Sequence, residues 1–304
     1  MKDIILVNHN GYVLVDVFFF GDPSVPLDIV LNCPHGCRDI VFLEAFPQIK
    51  NAFSHIPEEI FQTYLELEYD FGARDLAFSV ATELSHKRNV AVTRVHYHRG
   101  IVDANRTEAF AVRNIFDRER FPEVDMLLKK ISRDTEAAII AFLQQHLSPN
   151  GFFYDNHTMW PTSQYISPRE HEKPDTLEKY IGALLETENQ KKVRSVNMIT
   201  SDENNVCIAD EIRSNIFANT LQEYGYPVDF NTPYRLFPQQ HLGARYLSLF
   251  SGVAVDIPRP FLGNPDEKNI AQWNIDETKM KRLIPAVSEG LLLAYEKRVI
   301  PKER

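Results

Sequence analysis

Two apolar runs separated by a polar break open the chain. Residues 4–8 read IILVN and residues 12–20 read YVLVDVFFF. The Asn10-Gly11 pair between them favours the left-handed backbone of a tight hairpin turn, so the pattern predicts a β-hairpin. DIVLNC, residues 28–33, is short and continuously apolar, as a strand buried on both faces should be. The period then lengthens. Ala73, Leu76, Ala77, Val80 and Leu84 recur at helical spacing and predict a helix over 73–87, and the β-branched stretch 89–98 predicts a strand after it. Val124, Leu127, Leu128 and Ile131 form the stripe of a long helix over 124–147, stopped by Pro149-Asn150-Gly151.

Further along, residues 151–157 and 193–199 predict strands, and 210–225 a helix closed by Gly225. Pro174-Asp175 signals a helix start within 173–192. Residues 226–231 and the run 244–257, ARYLSLFSGVAVDI, read as strands, and the chain is helical from Glu277. Strand, long excursion, helix and strand is how parallel sheets are wired, so the class is α/β. No repeat or low-complexity linker divides the chain. The Pro-rich polar stretch 159–174 is expected to be a long loop of the kind that covers a site. Residues 1–304 are therefore expected to be a single domain, with residues 1–25 as its β-hairpin extension.

Composition narrows the functional classes. A net charge of −9 disfavours a nucleic-acid partner, which needs clustered Lys and Arg. It leaves open a small anion held by one or two arginines. Three cysteines, an odd number, do not form a disulfide framework and fit a reducing compartment. The first residues lack a secretory pattern, and no apolar stretch approaches the ~18 residues of a membrane span. The expectation is a cytoplasmic protein with no membrane partner. Oligomeric state is not readable.

Polar groups with chemical potential cluster where strands are expected to end. His35 follows the strand at 28–33, and His157 lies at the end of FFYDNH. Two imidazoles and a carboxylate would suit a zinc ion with one position left for water. Asp70, just before the helix at 73, is a well-placed carboxylate. Cys33 and Cys37 flank His35, but their spacing is not that of a zinc finger, and buried thiols are the simpler account. In HRGIVDANR, residues 98–106, Arg99 and Arg106 flank Asp103 and Asn105. They suit a clamp on a carboxylate, or equally an internal ion pair. His96 and His98 share a strand face as ordinary polar residues. Asp256, after the apolar SGVAV, suits a buried general base or a salt-bridge partner of Arg259.

The sequence PHG, then an acid before a helix, then HRGIVDANR, DNHTM, NTPY and VAVDIPR, over roughly residues 31–263, resembles the N-formylglutamate amidohydrolase family. That family is related to the zinc carboxypeptidases, aspartoacylases and muramoyl amidases. The resemblance implies a three-layer α/β/α phosphorylase/hydrolase-like fold with a mixed, largely parallel central sheet and one catalytic Zn2+, or another divalent ion. His35, Asp70 and His157 would be its ligands, with Asp75 the second choice for the acid. Asp256 would be the general base and Arg99 the group near the scissile carbonyl. Asn105 and Arg106 would grip the substrate carboxylate, with Asn231 and Tyr234 shaping the pocket. The implied reaction is hydrolysis of an N-acyl amino acid, N-formyl-like, by a zinc-activated water. The alternatives are a zinc-dependent peptidase acting on short peptides, a muramoyl-amide hydrolase, and a non-catalytic ligand-binding relative. The family usually carries a glutamate at position 256 and a glycine at position 37; this chain has Asp256 and Cys37. The glycine-rich stretch expected after NTPY is here RLFPQQHLGAR.

Overall fold

The computed structural model describes residues 2–38, 40–160, 177–185 and 193–297. The expected hairpin forms: β1 (Lys2–His9) pairs antiparallel with β2 (Tyr12–Phe19), and both turn residues, Asn10 and Gly11, have positive φ. β3 (Leu27–Cys33) follows. Four helices come next, α1 (Val41–Ala45), α2 (Pro47–Ala52), α3 (Glu58–Glu68) and α4 (Ala73–Leu84). Only the last was expected. After β4 (Val90–Val95) come the short α5 (Glu108–Ala111) and the long α6 (Pro122–His146), which starts on a proline at its first position. β5 (Leu147–Met159) takes up the Pro-Asn-Gly stop signal at its start.

The second half contains α7 (Leu177–Leu185), β6 (Val196–Ile199), α8 (Glu211–Glu223) and β7 (Val228–Phe230). It continues through α9 (Leu242–Leu249), β8 (Gly252–Pro258), the small pair β9 (Gly263–Pro265) and β10 (Trp273–Ile275), and α10 (Glu277–Glu296). The long loop expected over 159–174 lies, beyond Trp160, outside the described residues. One expectation is corrected. Residues 244–257 are not one strand: α9 takes the first part and β8 the second. Short apolar runs do not separate strand from helix by periodicity. Here tertiary hydrogen bonds at the start of α9 decide the matter.

The sheet has eight strands in the order β1-β2-β4-β3-β5-β8-β6-β7. Its centre, β4-β3-β5-β8, is parallel throughout, while β2 and β6 flank it antiparallel. Two apolar cores cover its faces. Val30, Ala91, Phe153 and Ala254 point into one, with α1, α2, α3, α6 and α9. Ile29, Val90, Phe152 and Val253 point into the other, with α4, α8 and α10. Alternate strand residues thus feed opposite cores, and the fold is a three-layer α/β/α sandwich around a mixed, largely parallel sheet. Parallel order brings the carboxyl ends of β3, β4, β5 and β8 to one edge, where an α/β fold binds ligands. Among the described residues no helix is long and apolar enough to cross a membrane.

Candidate metal centre and its cavity

His35 stands two residues beyond β3, His157 on the last turn of the pleat of β5, and Asp70 in the connection between α3 and α4. Gly72 makes that connection possible: its φ of +72° lets the chain turn into α4 immediately after Asp70. All three side chains are buried and their ligating atoms converge. Nδ1 of His35 and Nδ1 of His157 are 3.2 Å apart, and Oδ2 of Asp70 lies 3.3 and 3.2 Å from them respectively. These are the edges of a nearly equilateral triangle. Ligands bound at 2.0–2.1 Å to a tetrahedral ion stand about 3.3 Å apart, so the triangle has the size of one face of a zinc coordination shell.

The groups behind the ligands fit a cation as well. His35 Nε2 lies 2.7 Å from Asp103 Oδ1, and His157 Nε2 lies 3.1 Å from Asp155 Oδ2. An Nε2–H donated to a carboxylate leaves the Nδ1 lone pair for a metal, the usual outer-shell arrangement. Burial opposes ionisation of Asp70, yet Arg99 and His35 beside it hold its carboxyl well below the usual range. Asp103 is held low in the same way, against burial, by His35, Arg113 and Arg99. Burial disfavours a charged His157, but Asp155 and Asp70 overcome this and hold its proton well above the ordinary imidazole value. That proton is the charge a bound cation would displace. Cys33 is no competitor: burial pushes its thiol up to about 12, and it donates to the Ala73 carbonyl. Asp75 is exposed on α4, and His96 pairs with Asp16 at 3.0 Å on β2.

A cavity of about 820 Å³ opens over the triangle. Asp256 is set beside His157 by strand register, one strand spacing of about 4.8 Å away. Burial pushes its carboxyl up to about 6. Arg99 donates from Nη1 to Asp70 Oδ1 at 2.7 Å, and its Nε has no hydrogen-bond partner among the described residues. Arg106 lines the same cavity, its Nε 3.6 Å from Asp103. Tyr234 is a half-buried wall residue, and burial raises its hydroxyl pKa. Asn105 also lines the cavity, but its Oδ1 accepts from the Gly243 N–H at 2.7 Å, and Leu242 N–H donates to its carbonyl. These bonds satisfy donors at the start of α9 and fix Nδ2 toward the cavity side, 3.1 Å from His157 Nε2.

Asn231 departs from its expected place. It is not among the residues lining the cavity. Its Oδ1 accepts from the backbone N–H groups of Thr200 and Ser201, both at 2.8 Å, and its φ is +55°. The asparagine builds the loop that presents Tyr234 rather than meeting a ligand, because its amide is used by backbone donors at the end of β6. Sequence reasoning did not single out Asp155, His241 or Glu68. Asp155 had a legible signal, since it precedes His157 by one pleat period and so shares its face. His241 lines the cavity and is kept neutral, burial lowering it to about 3. Glu68 joins the site through Arg113, which lies 3.0 Å from both Glu68 and Asp103.

Close packing behind the ligands gives a direct test. A Cβ at Gly243 would stand 2.6 Å from Asp155 Oδ2 and 3.2 Å from Asn105 Oδ1. Gly243→Ala is expected to displace the Asp155 carboxylate, weakening metal binding roughly tenfold, as outer-shell changes do. Competition with a chromophoric chelator reads this out.

Two solved structures share this architecture. One is a gene product of Agrobacterium tumefaciens, 14% identical, with a TM-score of 0.53 over 92% of this chain and 94% of that one. The other is an N-formylglutamate amidohydrolase from Ralstonia eutropha JMP134, 13% identical, with a TM-score of 0.53 over 91% of this chain and 96% of that one. No protein-family model and no curated protein sequence matches the chain.

Proposed function

We propose that this chain is a zinc-dependent amidohydrolase of the N-formylglutamate amidohydrolase family, cleaving the amide bond of an N-acyl amino acid. The observation that carries the reading is the buried His35–Asp70–His157 triangle opening onto a cavity whose lining includes Asp256, Arg99 and Arg106. The fold shared with a structure named as an N-formylglutamate amidohydrolase supports it. A divalent ion held by the three side chains would lower the pKa of a water towards about 7 and polarise a carbonyl.

The protein's own groups then have separable tasks. Asp256, beside His157, takes the proton of the attacking water and returns it to the departing nitrogen. Arg99 is anchored through Nη1 on Asp70, with Nε and Nη2 each 3.7 Å from the carboxylates of Glu68 and Asp103 respectively, and its positive charge at the cavity wall stabilises charge developing on the carbonyl oxygen. Arg106 and the Asn105 amide hold the substrate carboxylate, so that binding energy away from the reacting bond becomes alignment. Tyr234 closes a wall of the cavity.

A panel of N-acyl amino acids, uncharged N-acyl amides and short peptides, followed by release of free amino groups with and without zinc, tests this reading. Metal-dependent turnover on N-acyl amino acids is expected; no turnover on any amide would sink it. Arg106→Ala is expected to raise KM for N-acyl amino acids by roughly 10–100-fold, the worth of a charge-assisted hydrogen bond of about 1.5–3 kcal/mol. KM for uncharged amides should change little, and equal effects would remove the clamp. A second reading, hydrolysis of a short peptide, is favoured by the volume of the cavity, about 820 Å³, which has room for a drug-sized ligand. The same panel separates the two.

A further inference from the structure

Three polar side chains interrupt the apolar centre of the sheet at one level. Thr93 of β4, Asn32 of β3 and Asp155 of β5 are register partners across adjacent parallel strands. All three are at most 1% exposed. They share the face that carries Val30, Ala91 and Phe153. Burying three polar groups costs stability unless each is paired, and these are paired in a directed chain. Thr93 Oγ1–H donates to Asn32 Oδ1 at 2.5 Å. That bond fixes which end of the amide faces β5, and Asn32 Nδ2 donates to Asp155 Oδ1 at 2.7 Å. The other oxygen, Asp155 Oδ2, lies 3.1 Å from His157 Nε2.

Each link fixes the direction of the next. A threonine hydroxyl has one proton, and Asn32 Oδ1 receives it. The asparagine can then only donate toward Asp155. Asp155 can only accept when ionised, and its Oδ2, which has no hydrogen-bond partner among the described residues, stands at ion-pair distance from Nε2; a proton kept on Nε2 would leave the Nδ1 lone pair facing His35 and Asp70. His157 has a rival: Asn105 Nδ2, also a donor, lies 3.1 Å from the same Nε2. If that contact won, Nε2 would be the acceptor and Nδ1 would carry the proton, closing the triangle to a cation. Deciding between two tautomers is the work available to the ladder. Among the described residues His35 has no such rival, and its Nε2 faces Asp103, which is held by Arg113.

We propose that Asn32 and Thr93 are positioning residues that fix the tautomer of His157 through Asp155. The inference rests on the proposed role of His157 as a metal ligand. Thr93→Val keeps shape and removes the donor; Asn32→Leu removes the middle of the ladder; Thr93→Ser restores the hydroxyl. Zinc affinity is measured by chelator competition. The tautomers of His157 and His35 are read by nitrogen-15 imidazole resonances of the metal-free protein above the pH at which His157 gives up its proton.

Thr93→Val and Asn32→Leu are expected to weaken zinc binding by 10–100-fold. They should turn His157 from a single Nε2–H form into a mixture, with His35 unchanged, and Thr93→Ser should restore both. Wild-type affinity and tautomer in Thr93→Val would overturn the inference. So would a loss that Thr93→Ser does not restore, or one that His35 shares, since either marks general loosening. Should Asn32→Leu fail to fold, the Thr93 pair decides. A wild type that takes no zinc overturns the metal-site reading together with this inference; a wild type that binds zinc alongside an unaffected Thr93→Val overturns only the inference.

Discussion

Replacing His157 by alanine is expected to empty the metal centre. One ion per chain in the dialysed wild type should fall to near zero in the variant, measured by plasma emission, and amide hydrolysis should disappear with it. The expectation follows from geometry. Each corner of the His35–Asp70–His157 triangle is 3.2 or 3.3 Å from the other two, so removal of one leaves a two-ligand edge rather than a face. Outer-shell substitutions cost 10–100-fold in affinity, and losing a ligand itself should cost more than roughly 100-fold. The alanine also leaves Asp155 without its imidazole, so a circular-dichroism spectrum should accompany the assay to show that the fold persists. A folded variant with full metal content would take His157 out of the ligand set.

Asp256→Asn should do the reverse: metal stays and turnover collapses, by roughly 10²–10⁴-fold for loss of a general base. Asp256 is not one of the three converging ligands, so plasma emission should still find one ion per chain. The pH profile adds a check. A base acts as its carboxylate, so kcat/KM should rise as pH rises through its pKa, and the variant should lack that acid limb. Burial sets this carboxyl at about 6 in the metal-free protein, and a dication beside it brings the value down. The same shift has a stability sign. A folded-state pKa of about 6 lies above the unfolded value near 3.9, so the contribution of Asp256 is present below pH 4 and is lost as pH rises through 6. Metal-free Asp256→Asn should therefore gain on the wild type in thermal unfolding at pH 8 relative to pH 4. An active Asn variant would reject Asp256 as the base.

The parts of this molecule that were legible in sequence are those where local pattern and tertiary position agree. Asn10-Gly11 forms its hairpin turn because both residues tolerate positive φ wherever they are placed. The stripe of α4 reads correctly because one face of it is a core. Helix α9 does not read, because the N–H groups at its start are satisfied by Asn105, more than 130 residues away. The site divides the same way. His35, Asp70 and His157 each stand beside an element boundary, a place sequence can mark. Asn231 looks like a ligand-facing residue in NTPY, but its amide is taken by Thr200 and Ser201. Asn32 and Thr93 sit inside apolar runs where a single polar residue is unremarkable, and only strand register shows that they meet.

The N-terminal hairpin has a consequence for how the chain avoids its own kind. β2 occupies the flank of β4, and without it that flank would offer a row of unsatisfied amides and carbonyls to any passing extended peptide. The exposed rim is transferred instead to β1, whose pairing with β2 slips between Ile5 and Val7 and again between Val7 and Asn8. A bulged, twisted border is a poor template for lengthwise stacking. The first two strands thus act as a selvedge, finishing the weave so that the interior strands carrying the chemistry are not the ones left to fray into aggregates.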